Sequence, residues 1–229
     1  MGTSTSFRSP PVTRWRAFTT ALTSGASVER VRSELFNAGN EWEHALASDA
    51  VAAYAATILD LYNSLPDQLR SGERPEDVLQ AVASAAKTDR HVETGSAAEA
   101  MAERAFIRLL MRTSGGGDSL SQLTSRQAAQ QFVAQRGTPG RLVSEYLAEL
   151  LGQYARHATA REAGRITEAV PGAKVSDTRR LTREVAQAAA DVGSQVEVTN
   201  ATGFAIRGAW ATLVAEAFAK GRQLPDVHQ

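Results

Sequence analysis

Apolar residues recur every three or four positions along almost the whole chain, the period of a helix with one buried face. Trp15, Phe18 and Leu22 open the pattern, and Gly25 closes this first short helix. Ser27 is placed to cap a second, with Val28, Val31 and Leu35 as its stripe and Gly39 at its end. A short helical piece at residues 41–46 carries Trp42. Ser48 and Asp49 are then placed to cap a longer helix with Val51, Tyr54, Ala55, Ile58, Tyr62 and Leu65 on one side, up to Pro66. Arg74-Pro75-Glu76-Asp77 starts another, with proline at the first position and acids in the electropositive first turn. Ser96 and Glu99 have capping-box spacing ahead of Met101, Ala102, Ala105, Phe106, Leu109 and Leu110.

The second half reads the same way. Residues 120–136 form a polar, glutamine-rich helix of weaker periodicity. Gly137-Thr138-Pro139 stops it and starts the next. Leu142, Val143, Tyr146, Leu147, Leu150, Leu151 and Tyr154 make the clearest stripe in the chain, opposite Arg141, Glu145, Glu149, Gln153 and Arg156. Thr159 and Glu162 are spaced to box a continuation through Ile166, before Pro171-Gly172 turns the chain. A helix from Ser176-Asp177 carries Leu181, Val185, Ala189 and Val192. Residues 193–203 are turn-rich, and the last helix runs from Phe204 through Trp210 and Phe218 until Gly221 ends it. Only residues 195–199 hint at a strand. The pattern predicts an all-α protein, an irregular bundle of about eight helices with a flexible N-terminal tail.

Two stretches interrupt the periodicity. Residues 1–13 lack it, and Pro10-Pro11 favours an extended spacer between residues 1–6 and the body. Gly115-Gly116-Gly117, within residues 113–119, reads as a linker between helical subdomains at 14–112 and 120–222, with residues 223–229 as a C-terminal tail. As a phosphate-binding loop, the glycine run lacks both the following lysine and the required spacing.

Composition narrows the function classes. Lys+Arg and Asp+Glu both total 25, a balance that argues against general nucleic-acid binding. Only Lys87, Lys174 and Lys220 are lysines, and alanine is abundant, a usage that suggests a bacterial source. There is no cysteine, and no apolar run of membrane-spanning or signal-peptide character, which leads to a cytoplasmic expectation.

Candidate chemistry is sparse. Glu41 and His44 form one Glu-x-x-His unit, but di-iron bundles need two with further glutamates, so no metal is expected. His157 sits near a helix end, where the dipole favours a cation. No Gly-x-Ser-x-Gly elbow is present, and Glu76-Asp77 is explained by its helix start, so no catalytic residue and no cofactor is expected. Trp15, Trp42 and Trp210 fall within apolar stripes and read as core anchors. Arg161 and Arg165, and Arg179, Arg180 and Arg183, interleave with Glu162, Asp177 and Glu184 as a solvated, salt-bridged face.

The remaining candidate is the start of the chain: Gly2, Thr3, Ser4, Thr5 and Ser6 are small, polar and unsuited to packing. Removal of Met1 would free a glycine amine with a reference pKa near ~8, leaving an unprotonated, nucleophilic fraction at neutral pH. The stretch formally matches the N-myristoylation pattern, but no basic run follows to reinforce a single acyl chain. Gly2, Thr3, Ser4 and Ser6, with Pro10, Pro11 and Trp15, resemble the start of the QatB-like components of the bacterial QatABCD anti-phage defence system. The resemblance spans residues 2–15. It implies a non-catalytic defence protein whose partners are a QueC-like, ATP-using enzyme and other proteins of the system. Relatives of that enzyme join a 7-deazaguanine carboxylate to an amine, which the resemblance implies is supplied here by Gly2. The alternative is a helical interaction or adaptor module in which the tail has no role.

Overall fold

A computed structural model describes residues 12–70, 74–88, 96–114, 124–169, 175–199 and 202–224. Eleven helices and no strand occur among the described residues: α1 (Val12–Thr23), α2 (Val28–Ala38), α3 (Asn40–Leu46), α4 (Asp49–Leu69), α5 (Pro75–Thr88), α6 (Ala97–Thr113), α7 (Ser125–Gln135), α8 (Pro139–Arg161), α9 (Ala163–Ala169), α10 (Val175–Ser194) and α11 (Gly203–Arg222). The all-α expectation holds, with eleven helices in place of about eight. The excess lies largely in short pieces such as α3 and α9, seven residues each. Backbone breaks at Gly39, at residues 47–48 and at Glu162 set these pieces off as separate helices. Residues 195–199 form no strand. Val196 is buried there, and its carbonyl accepts a hydrogen bond from Ser144 Oγ at 2.7 Å.

Local rules account for most helix starts. Ser27, Ser96, Thr138 and Thr202 each accept a hydrogen bond from a backbone N–H two or three residues into the helix that follows. Thr124 and Gln127 form a complete capping box at α7, a Thr-x-x-Gln signature that the weak periodicity of residues 120–136 obscures. Gly25, beyond α1, and Gly137, before α8, take φ of +70° and +62°, where a side chain would be strained.

Helices from both sides of residues 113–119 build one core. α8 lies at its centre between α6 and α10, while α11 packs on α2 and α4. Residues 51–56 of α4 are all buried, because alanines at 52, 53, 55 and 56 let neighbours approach every side of the helix. The α3–α4 pair bends by 48°, and no single described helix is long and apolar enough to cross a membrane.

The helix irregularities are satisfied by donors from far along the chain. α4 continues through Pro66, which has no N–H to give the Tyr62 carbonyl four residues earlier. Arg136 Nη1 donates to that carbonyl instead, with its guanidinium 4.4 Å from the Tyr62 ring centre, and Tyr62 Oη donates to Gly137 O at 2.7 Å. Arg136→Met is therefore expected to cost about 1–3 kcal/mol in urea unfolding, from the orphaned carbonyl and the lost ring contact. Adding Pro66→Ala to that variant restores a backbone donor and should recover part of the loss. No recovery would mean the carbonyl is not the origin.

The end of α2 is closed in the same manner. Tyr154 Oη donates to Leu35 O at 3.1 Å and Arg222 Nε to Phe36 O at 3.4 Å, covering carbonyls that a helix terminus leaves open. Burial pushes the Tyr154 phenol far above its ordinary pKa, outweighing the opposing influence of Arg222, so it stays a neutral donor. At the end of α3, Trp210 Nε1 donates to Leu46 O at 2.8 Å.

Candidate functional site

Gly2, Thr3, Ser4, Thr5, Ser6, Pro10 and Pro11 lie outside the described residues, as do the three-glycine run, His91 and His228. The structure instead defines the base on which the N-terminal segment stands. α1 begins at Val12, two residues before the expected start of the helical body. Phe18, Ala21 and Leu22 are buried, and the half-buried Trp15 meets Phe18 edge-on with ring centres 5.1 Å apart.

A carboxylate from the other end of the sequence holds this helix down. Glu162 ends α8, and its side chain is only 4% exposed. Trp15 Nε1 donates to Glu162 Oε1 at 2.8 Å, Thr19 Oγ1 to Oε2 at 3.3 Å and Arg165 Nη1 to Oε2 at 3.1 Å. The Arg161 guanidinium lies 5.6 Å from the Trp15 ring centre. A buried carboxylate needs such a full set of donors to offset its desolvation. The expected solvated face is corrected here: Glu162 pairs with Arg165 as anticipated but is turned inward. Nor does Thr159 cap a new helix, since its hydroxyl donates back to Ala155 O at 2.8 Å within α8.

Glu162→Ala removes the common acceptor and leaves the Trp15 N–H and Thr19 hydroxyl to find others. The expected loss is about 2–3 kcal/mol, with hydrogen exchange rising first in α1. Glu162→Gln retains an acceptor oxygen and should lose less. Equal exchange in α1 for the wild type and the alanine variant would remove Glu162 as its anchor.

The opposite flank of α1 is open. A depression of about 560 Å³ between α1 and α2 is lined by polar groups of Thr13, Arg14, Glu34, Asn37, Asn40 and Arg222. A second, of about 440 Å³, continues along α1 past Arg16, Thr20, Ser24 and Arg30. Arg222 forms the far wall of the first. Its guanidinium is fixed on Phe36 O, on Asn40 Oδ1 at 3.2 Å and on Glu43. Both depressions reach Thr13, next to the first described residue.

The other candidates separate clearly. Glu41 and His44 share α3, His44 is exposed, and no group of three or more metal-competent side chains occurs among the described residues. Trp42 and Trp210 are core anchors, 6% and 0% exposed, whereas Trp15 is only half-buried. His157 departs from its reading as a helix-end cation. Its ring packs edge-on to Trp42 at 5.3 Å, and its pKa is held below the ordinary value by desolvation, then by Arg161 and Arg104. These influences favour its neutral form, although the side chain remains partly exposed. Arg179, Arg180 and Arg183 are exposed, with Arg180 3.9 Å from Glu184, as a solvated face requires.

Periodicity gave no warning of Glu162, Arg136 or Arg222, because each acts on residues 70 or more positions away. No protein-family model, curated protein or solved structure matches the chain.

Proposed function

We propose that this protein is a non-catalytic component of a bacterial anti-phage defence system, acting in the cytoplasm by presenting its N-terminal segment to a QueC-like, ATP-dependent enzyme. The unprotonated Gly2 amine is the nucleophile. It attacks an activated carboxyl group held by the partner, the activating group leaves, the surplus proton passes to solvent, and an amide remains. Thr3, Ser4, Thr5 and Ser6 supply small hydroxyl side chains for the partner to read beside it. The observation that carries this reading from the body of the protein is the Trp15–Glu162 clamp. A substrate segment needs a fixed root so that the enzyme meets it away from the core, and α1 is fastened at Trp15 by a buried carboxylate.

Intact-mass and peptide mass spectrometry of the full chain, produced with an active QueC-like partner, tests the proposal. The expected product has lost Met1 and carries an added mass confined to Gly2. An unmodified Gly2 beside the active enzyme overturns it. The depressions along α1, one of mixed lining and one mainly apolar, favour a second reading, an adaptor that docks a partner on the body without using the tail. Deleting residues 2–9 separates the two: defence is lost with folding intact in the first case and retained in the second.

A further inference from the structure

A positive cluster with no counterpart in the sequence pattern forms where α6 meets α8. Arg112, near the end of α6, reaches Glu149 at 2.9 Å and Glu145 at 3.5 Å in the first half of α8. The two helices therefore run antiparallel, and Arg104 and Arg108 lie opposite the later turns of α8, which carry Arg156 and His157. Charge coupling agrees with this register: Arg108 opposes the charge of Arg156, and both Arg161 and Arg104 oppose protonation of His157.

Two acids of the α8 side are committed elsewhere, while Glu103 stands beside Arg104 on α6 with an interaction of its own. Glu149, which favours the charge on Arg156, is ion-paired to Arg112, and Glu162 faces inward to Trp15, Thr19 and Arg165. Among the described residues no ion pair within 4.0 Å joins Arg104, Arg108, Arg156 or Arg161 to a carboxylate. Arg156 Nη1 is shut off from solvent with no hydrogen-bond partner. A half-buried guanidinium beside like charges is under-compensated, and an anion at its open side offsets that repulsion, while the enclosed Nη1 stays out of its reach. This local excess stands out because the chain as a whole is neutral.

We infer that the face formed by Arg104, Arg108 and Arg156 binds a compact oxyanion of the phosphoryl class, carried by a small ligand. Arg104 and Arg108 are one helical turn apart, about 6 Å along the axis, so the face is the size of one or two phosphoryl groups. Guanidinium forks match their multiple acceptor oxygens better than the single carboxylate of an acidic side chain. The His157 ring is held edge-on against Trp42, beside this face. The inference does not rest on the reading of Gly2.

Titration of the full chain with pyrophosphate at constant ionic strength, followed by ³¹P NMR line width, tests it. The expected result is saturable broadening, with Arg108→Gln and Arg156→Gln each weakening binding about fivefold or more. Arg180→Gln, on a different exposed helix, should leave it unchanged. Arg108 is exposed, so its variant keeps the test readable if Arg156→Gln perturbs folding. No saturable broadening by the wild type, or equal weakening by Arg180→Gln, overturns the inference. So does a short single-stranded oligonucleotide that binds about a hundredfold more tightly than pyrophosphate, since that result assigns the face to nucleic acid.

Discussion

Trp210→Ala is expected to destabilise the domain by about 4 kcal/mol or more, since truncating a buried tryptophan costs about 3–5 kcal/mol before lost hydrogen bonds are counted. Trp210 is fully buried, packs against Tyr146 with ring centres 5.6 Å apart, and gives its indole N–H to Leu46 O. The alanine variant leaves both a large void and an uncapped carbonyl at the end of α3. Against a typical total stability of about 5–15 kcal/mol, that loss brings many domains close to unfolding at 37 °C. Trp210→Phe separates the two contributions: it keeps most of the buried ring but loses the donor. Urea unfolding of the pair should show the phenylalanine variant losing about 1–3 kcal/mol. If both variants lose the same amount, the hydrogen bond to α3 carries the whole effect and the packing argument fails.

Gly193→Ala should be destabilising although alanine is the better helix former. A Cβ at Gly193 would lie 2.6 Å from Ala148 Cα and 2.7 Å from its nitrogen, so α8 and α10 would have to move apart. Overpacking of this kind costs about 1–3 kcal/mol, and backbone atoms cannot rotate aside as a side chain can. Helix propensity returns about 1 kcal/mol, and a net loss of roughly 1–2 kcal/mol is expected. Gly208→Ala is the control. It lies on the exposed face of α11 with nothing within 4 Å of the added carbon, so it should gain up to about 1 kcal/mol. Thermal unfolding of the two variants should shift in opposite directions. A rise in both would show that α8 and α10 tolerate the methyl group.

The same glycines show where reading the sequence succeeds and where it stops. Gly25 ends α1 with a positive φ, and Gly137 precedes the Thr138-Pro139 start of α8, both as their local context implies. Gly193 and Gly221 invite the same reading as terminators but lie inside α10 and α11. They are glycine because other chain segments press on them: Ala148 on Gly193, and the Phe36 ring, 2.5 Å from a Cβ at Gly221. A one-dimensional pattern cannot distinguish a glycine needed for its φ from one needed for its missing side chain.

The candidate site divides along the same line. Gly2, Thr3, Ser4, Thr5 and Ser6 are singled out by sequence alone, through their size and their resemblance to a known start. The helix that roots the segment, the carboxylate that pins it and the depressions beside it emerge only when α1, α2 and the α8–α9 junction are brought together. Likewise Arg104 and Arg108 look like ordinary surface residues of one helix until antiparallel packing sets Arg156 opposite them.

By itself the sequence determined the helical class and most helix starts, and it read Trp15, Trp42 and Trp210 alike as core anchors, of which the structure buries the last two. Those outcomes depend on interactions within about one turn of helix: apolar spacing, hydroxyl caps and proline at a first turn. Tertiary structure alone decided that one core joins both halves, that Arg136 substitutes for the donor missing at Pro66, and that Glu162 is buried under Trp15. It also decided that the His157 ring packs against Trp42, where desolvation and two arginines lower its pKa. These are matters of which side chain meets which vacancy across 70 to 150 residues, and the competition among carbonyls, charges and cavities for partners is resolved only when the helices pack.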